Sequence, residues 1–321
     1  MTLLADGVYS TDAFTALIAG AILAGIPLLF GALGELVSER AGVLNIGLEG
    51  MMLMGAYAGF VAAYHGGSSW LGFGAGLAAG AAVSLVMVLF CVRWGLDQIV
   101  VGIAITLACE GATALIFDAQ FAKSRPRLGA TERVDIPGLA GLPVVGGKGE
   151  SAGSLFSQPL VVYLGLGLVV FVAWLLRRTH FGLNVKAAGD RPGALDVAGV
   201  SVVATRSWAV LFAGAMAGLG GAYLSIVSAG VFQDTIVGGR GFIAIVLAML
   251  ARGRPAWVVT GAILFGVSYS IQGWAQIAGV DVPTDVVFLL PFLLVLAVLV
   301  VFGRRAYLPA ALALPYIRGA R

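Results

Sequence analysis

The sequence predicts an all-α polytopic membrane protein. Its 321 residues are 60% apolar and only 11% charged, whereas a soluble globular domain carries about 25% charged residues. Uncharged runs such as Ala13–Gly34 and Ser207–Gln233 exceed the ~20 residues that cross a bilayer as a helix at ~1.5 Å per residue. Composition and run length therefore both indicate a bundle of helices in lipid.

About nine transmembrane segments (8–10) fit this pattern, and they form a single domain over residues 1–321. The seventh is short, because the uncharged run Gly241–Ala251 gives only ~16 Å of helix, about half a bilayer. Between segments, residues 118–159 are expected to form an extracytoplasmic loop and residues 177–207 a cytoplasmic loop. The predicted segments are 13–34, 46–64, 69–92, 98–117, 160–176, 207–228, 236–251, 256–276 and 286–303.

Basic residues predict the orientation of the chain, with its N-terminus outside and its C-terminus in the cytoplasm. In this orientation the short loops that contain Arg93, Arg177 and Arg252 lie inside, where Lys and Arg accumulate. Of the basic residues left outside, all but Arg240 fall in the long 118–159 loop, where length weakens the rule. The opposite orientation would export nearly every short basic loop.

The segments divide into four, one and four, which predicts an inverted repeat. Segments one to four and six to nine begin on opposite sides of the membrane, an arrangement that many transporters use. Each half carries a glycine-broken polar stretch after its first helix, namely AGVLNIGLEG (41–50) and VFQDTIVGGRGF (231–242). Paired stretches of this kind point to a permeation path.

Small residues recur at helix-packing spacing. Gly72, Gly76 and Gly80 lie on one helix face, and the pairs Gly55/Gly59 and Gly214/Gly218 repeat the spacing. Since lipid provides no hydrophobic drive between helices, close backbone approach holds such bundles together. These glycines are therefore expected at helix–helix contacts.

A few polar residues in the apolar segments are candidates to line the path: Asn45, Glu49, Glu110 and Arg240. An ionised side chain in lipid costs at least ~2.5–3.5 kcal/mol, so the two glutamates should face the bundle interior, water or a partner. Glu49 could instead reach the cytoplasmic interface and pair with Arg40. Glu110 could be protonated, water-facing or in contact with substrate. Arg240 could pair with Asp234 at the outer surface.

The 177–207 loop predicts a short cytoplasmic helix at about 192–199. It is too long for a simple turn, and Pro192 follows Asp190 and Arg191, which is a helix-initiation signal. Such a helix could bind anionic lipid headgroups or dock into a cytoplasmic partner. The stretch contains Gly, Ala, Leu and Val with one Asp, which makes a poor amphipathic helix and favours docking.

Motifs for catalysis or cofactor binding are missing from the sequence. GLPVVGGK (141–148) has the wrong spacing for a phosphate-binding loop, and His65 and His180 lack a second metal ligand at helical spacing. Cys91 and Cys109 fall inside apolar segments and are predicted to be small core residues. We therefore expect no enzyme activity and no cofactor in this chain, so another component must supply any energy for transport.

Three stretches resemble the permease subunits of ABC importers in the branched-chain amino acid, sugar and nucleoside group. They are GELVSERAGVLNIGLEGMMLMGAYAG (34–59), GLNVKAAGDRPGALDVAGVSV (182–202) and VGGRGFIAIVLAMLARGRPAW (237–257). With the intervening helices they span nearly the whole chain. ERAGVLNIGLEG is similar to the nucleoside branch, whereas ribose-type permeases show a GGIDLSVG-like version and amino acid permeases an INFAHGE-like one.

The resemblance implies a type II-like permease fold, nucleoside import and a multi-pass location in the bacterial plasma (inner) membrane. It implies a heterodimer with a longer second permease, a cytoplasmic ABC ATPase that holds ATP and Mg, and an extracytoplasmic basic-membrane-protein-type binding lipoprotein. Membrane lipid is a further partner, and no nucleic acid is expected. By the same likeness, the Asn45–Glu49 corner lies at a broken helix junction beside the path. The residues that dock on the ATPase would be Asp190, Arg191, Pro192, Gly193 and Ala194.

Two alternatives to nucleoside import stay open. One is ABC import of another small polar solute, such as a sugar or a branched-chain amino acid. The other is secondary transport coupled to ions through Glu49 or Glu110, which leaves the 177–207 loop without a purpose.

Overall fold

Helices dominate the computed structural model, which describes residues 11–121, 126–135, 157–277, 289–302 and 308–317. A two-stranded antiparallel sheet, β1 (Arg133–Asp135) and β2 (Ser157–Pro159), pairs Val134 with Gln158. The helices are α1 Thr11–Arg40, α2 Leu48–Gly66, α3 Ser69–Met87, α4 Gln98–Phe121, α5 Leu160–Arg178, α6 His180–Asp190, α7 Pro192–Val197, α8 Val202–Tyr223, α9 Arg240–Leu250, α10 Pro255–Ile277 and α11 Leu290–Phe302.

Each of the nine predicted segments is matched by a helix, which confirms the all-α membrane fold. α1 runs on to Arg40 instead of ending at residue 34, and α8 begins at Val202 instead of 207. The predicted segments end where the uncharged runs end, whereas the helices continue through Glu35 and Arg206, which are both buried. π-Helical turns at Val88–Arg93 and Leu224–Ser228 continue α3 and α8. With them included, five helical spans among the described residues are long and apolar enough to cross a membrane: Leu17–Arg40, Ser69–Arg93, Gln98–Phe121, Leu160–Arg178 and Val202–Ser228.

Helix packing shows a partial correspondence between the two predicted halves. α3 packs on α8 as α10 packs on α1, and α2 packs on α8 as α9 packs on α1. Exchanging the first four membrane helices for the last four therefore relates these two pairs of contacts, whereas α2 packs on α3 far more extensively than α9 packs on α10. The core lies where α1, α2 and α8 meet, around the fully buried Phe30, Met52 and Tyr223.

The glycines at helix-packing spacing lie at close helix–helix contacts, as predicted. A Cβ at Gly55 would strike the backbone of Gly218, and a Cβ at Gly80 would strike the carbonyl oxygen of Gly214. Gly76 packs in the same way against Gly218. Since no side chain fits there, α2, α3 and α8 are held at backbone contact.

Separate groups of contacts lie at the two ends of the bundle. At one end the guanidinium of Arg40 lies against Gly253, and Ala311 donates its N–H to the Gly189 carbonyl at 2.8 Å. At the other end Leu128 donates its N–H to the Gly230 carbonyl at 2.8 Å. Residues 1–10, most of the predicted 118–159 loop and the last residues of the chain lie outside the described residues.

Candidate functional site

The first broken stretch, residues 41–47, folds back into the bundle. Ala41, Val43 and Asn45 are fully buried there. Gly31 of α1 packs against Leu48, the first residue of α2, and Gly31 precedes the end of α1 by about nine residues, or ~13 Å of helix. The second membrane helix therefore begins well inside the bundle.

Polar groups hold this stretch in place. The Ser38 hydroxyl donates to the Val43 carbonyl at 2.8 Å, and the Leu44 N–H donates to Gln98 Oε1 at 2.8 Å. Glu35 Oε1 accepts the Asn45 N–H at 2.9 Å. Chain that leaves a helix inside a membrane must find partners for its backbone groups, and these side chains provide them.

Glu49 joins the two broken stretches. Its Oε1 accepts the Gly239 N–H at 2.7 Å and its Oε2 accepts the Gly241 N–H at 2.6 Å. The first N–H groups of a helix lack intrahelical partners and carry partial positive charge, so the carboxylate caps the N-terminus of α9. A Cβ at Gly241 would lie 2.6 Å from Glu49 Cα, so the contact requires glycine.

The Glu49 carboxylate is therefore an internal group. Glu49 is only 6% exposed, which does not fit a residue that reaches the membrane interface. Its partners are the two glycine N–H groups, whereas the Arg40 guanidinium lies against Gly253. The contact connects the first helical half of the chain to the second.

Arg240 binds backbone carbonyls of the second broken stretch instead of pairing with Asp234. Its Nη1 donates to the carbonyls of Ile236 and Val237, both at 3.0 Å. Its guanidinium also lies over the ring of Tyr269 in α10, 4.6 Å from the centroid, a cation–π contact. The Asp234 carboxylate accepts the N–H of Thr235 and is exposed.

Two other candidate residues lie apart from this contact. The Asn45 amide is buried and donates to the Met51 sulfur at 3.3 Å. Glu110 is exposed on α4, on the same face as Ile103 and Leu107, which are 47% and 61% exposed. The structure therefore brings Glu49 and Arg240 together at the start of α9 and leaves Glu110 on the outer surface of the chain.

The predicted cytoplasmic helix is present as α7, with Pro192 in its first turn and Arg191 before it. Leu195 is buried, whereas Val197 is 91% exposed; Arg191, Gly193 and Ala194 are exposed as well. The sequence did not predict α6, whose first turn is capped by Thr179 Oγ1, which accepts the Gly182 N–H at 3.1 Å. α7 thus presents an exposed face at the end of the bundle.

Arg206 joins separate segments of the chain at the end of the bundle that carries α7. It is 3% exposed and donates to backbone carbonyls in three separate parts of the chain. Its Nε donates to Ala41 at 3.1 Å, its Nη1 to Leu314 at 2.8 Å, and its Nη2 to Ala188 at 3.2 Å and Ala311 at 3.4 Å. The guanidinium joins the end of α1, α6 and residues 308–317.

The sequence did not predict the structural roles of Glu35, Gln98 and Arg206. Arg206 was taken for a basic loop residue, because a single sequence does not show that carbonyls from distant segments converge on it. Glu35 carried a detectable signal, since an acid directly after an apolar run can belong to the same helix.

A cavity of about 500 Å³ lies at the opposite end, between the end of α4 and the second broken stretch. At this cavity the ring centroids of Phe117 and Phe232 are 5.0 Å apart. Asp118, Arg127 and Gln233 add polar and charged groups to its wall. The cavity therefore offers both ring faces and hydrogen-bonding groups. Among the described residues, no group of three His, Cys, Asp or Glu side chains could hold a metal ion.

Comparisons with known proteins match nearly the whole chain. Residues 17–299 match the family described as "Branched-chain amino acid transport system / permease component". The chain is 36% identical to a putative glucose ABC transporter permease of Haloferax volcanii over 255 residues, 78% of this chain and 75% of the relative. It is 32% identical to the guanosine ABC transporter permease of Bacillus subtilis over 311 residues, 92% and 94% of the two chains.

A nucleoside ABC transporter permease of Lactococcus lactis is 29% identical over 316 residues, 94% of this chain and 96% of the relative. No solved structure shows a significant match.

Proposed function

The chain belongs to the permease-component family of branched-chain amino acid transport systems, and from this premise we propose that it imports nucleosides as one permease subunit of an ATP-driven ABC importer. The observation that carries the nucleoside assignment is the likeness to guanosine and nucleoside permeases, which covers more than nine-tenths of this chain and of each relative. The glucose permease is more identical but matches over a shorter part of both chains. Sugar import is accordingly the second candidate.

The cavity at the end opposite α7 supports an aromatic, hydroxyl-bearing solute. The ring of Phe117 offers a face on which a nucleobase can stack, and Asp118, Gln233 and Arg127 can hydrogen bond to base edges or ribose hydroxyls. A sugar would use the polar groups with less benefit from the rings. We place this cavity on the extracytoplasmic side, next to the binding lipoprotein.

A second permease subunit would cover the exposed face of α4. A carboxylate on a membrane helix is costly in lipid, so the exposed Glu110 requires water or a protein partner. We propose that α4 faces the path between two permeases and that Glu110 contacts water or the solute there. Asn45, Glu49 and Arg240 would shape the same path from within this chain by holding the broken helices.

Energy would enter through α7. Its exposed residues, with Asp190 and Arg191 before it, form the proposed docking surface for a cytoplasmic ATPase that holds ATP and Mg. Gly189 at the end of α6 packs against Arg40 and Gly42, so movement of α7 would reach the 41–47 stretch directly. That stretch leads to Glu49 and, through its carboxylate, to α9.

Uptake measurements test the substrate. In vesicles with the complete transporter, labelled guanosine uptake should require ATP and survive collapse of the ion gradients. A tenfold excess of unlabelled nucleoside should suppress it, whereas glucose or leucine should not. Suppression by glucose alone would assign the chain to sugar import, and loss of uptake with the gradients would indicate a secondary transporter.

A substitution on α7 tests the ATPase contact. Ala194→Glu places a bulky charge on an exposed position that points away from the core, so this chain should fold while the ATPase no longer co-purifies. Ala130→Glu adds the same charge at an exposed position before β1, at the opposite end of the bundle, and serves as the control. Normal co-purification and normal solute-stimulated ATP hydrolysis in Ala194→Glu would refute docking at this helix.

A further inference from the structure

A second cavity, of about 420 Å³, lies among α9, α10 and α11 at the end of the bundle that carries α7. Its walls are apolar and come from Leu247 on α9, Leu264 on α10 and Val298 on α11. Leu264 is 43% exposed, so the slot opens to the outside of the bundle. For a membrane helix this outside is either lipid or a partner chain.

Cationic side chains surround the mouth of this slot. Arg252 and Arg254 line it and are both exposed. Neither guanidinium makes a hydrogen bond or an ion pair with any part of the chain that the structure describes. The Arg40 guanidinium lies against Gly253 between them. Arg252 and Arg254 lie on one turn and repel each other unless an anion lies near them.

At this turn an arginine adopts a backbone conformation that is unfavourable for residues other than glycine. Arg252 has φ 53°, in the left-handed region that costs an ordinary residue of order 1 kcal/mol. Trp257, which is 56% exposed, stands beside the mouth, and tryptophan is enriched at the level of lipid headgroups. The slot therefore runs from an apolar interior to a cationic rim with an interfacial anchor.

We propose that this slot binds an anionic phospholipid. One acyl chain lies along Leu247, Leu264 and Val298, and the phosphate accepts hydrogen bonds from Arg252 and Arg254, with Arg40 adding positive charge. The combination of chain slot and cationic rim selects a lipid over free phosphate, which has nothing to place in the slot. The site also selects an anionic lipid over a zwitterionic one, because the positively charged choline group of a zwitterionic lipid would be repelled by the arginines of the rim. The site is independent of the solute carried.

Lipid retention by the purified complex tests this site. Native mass spectrometry, with added phosphatidylglycerol or phosphatidylcholine as probe, counts the lipids that stay bound. The double variant R252Q/R254Q should retain phosphatidylglycerol about tenfold less well than wild type, while R177Q/R178Q, which removes equal charge from the exposed end of α5, should behave as wild type. Leu264→Trp, which fills the slot without changing charge, should lower retention as well.

Three results would overturn the proposal. Equal retention in wild type and R252Q/R254Q would show that the arginines hold no lipid, and equal loss in R177Q/R178Q would reduce the effect to net charge. Dissociation of the ATPase or the second permease from R252Q/R254Q, with lipid retention unchanged, would assign the slot to a protein partner. Thermal unfolding of each variant shows whether it is folded.

Discussion

Replacing Glu49 by glutamine is expected to reduce uptake by at least about tenfold and to lower the Tm of the transporter. The carboxylate accepts one N–H with each oxygen, from Gly239 and Gly241. An amide has one accepting oxygen, so its NH₂ group must face a buried N–H that has lost its acceptor. Leaving such a donor unpaired costs ~1–3 kcal/mol, and the lost charge at the helix N-terminus adds ~0.3–2 kcal/mol.

The measurement compares uptake and thermal unfolding of Glu49→Gln with those of Glu132→Gln. Glu132 is exposed in the segment before β1, so its substitution removes the same charge and leaves α9 capped. A complex that still assembles but transports poorly would place the effect at the contact between the two halves. Wild-type uptake and Tm in Glu49→Gln would show that capping of α9 by Glu49 is irrelevant to transport.

Replacing Arg206 by methionine is expected to separate ATP hydrolysis from uptake. Methionine matches much of the buried volume but donates no hydrogen bond, so the carbonyls of Ala41, Ala188, Ala311 and Leu314 lose their donor. Leaving a buried carbonyl without its donor costs ~1–3 kcal/mol. Since the guanidinium joins α6 to the end of α1, movement of α7 would then reach the 41–47 stretch less effectively, through the packing of Gly189 against Arg40 and Gly42 alone.

The ratio of uptake to ATP hydrolysis, measured in the same vesicles, checks this result. It should fall about tenfold or more in Arg206→Met and less in Arg206→Lys, because lysine keeps the charge but lacks the planar fork of donors. Arg178→Met, which removes an exposed arginine from the end of α5, is the control. An unchanged ratio in Arg206→Met would mean that coupling follows another route.

Sequence patterns predicted the helices because lipid imposes strict requirements on them. Uncharged runs long enough to span a bilayer located α1, α3, α5, α8 and α10, and the short uncharged run before Ala251 located α9. Pro192 predicted α7, and the glycine spacing predicted that Gly80 lies at a helix–helix contact. Each of these features depends on neighbouring residues or on a fixed helical period, so it can be predicted from the sequence.

The contacts of the candidate site were harder to predict for a physical reason. The sequence placed Glu49 and Arg240 in two broken stretches and proposed that both belong to a path, but did not predict that the Glu49 carboxylate caps α9. Residues 49 and 241 are far apart along the chain, and only the packing of α1, α2 and α9 brings them to hydrogen-bonding distance.

By itself, therefore, the sequence determined that this protein lies in a lipid bilayer, where its helices are, and the two positions where those helices break. The tertiary structure alone decided the partners of its buried charges, Glu49 on the N-terminus of α9 and Arg206 on carbonyls from three segments. The reason is that transfer from water to lipid is a property of each segment, whereas a buried charge is satisfied only by groups that folding collects from distant parts of the chain.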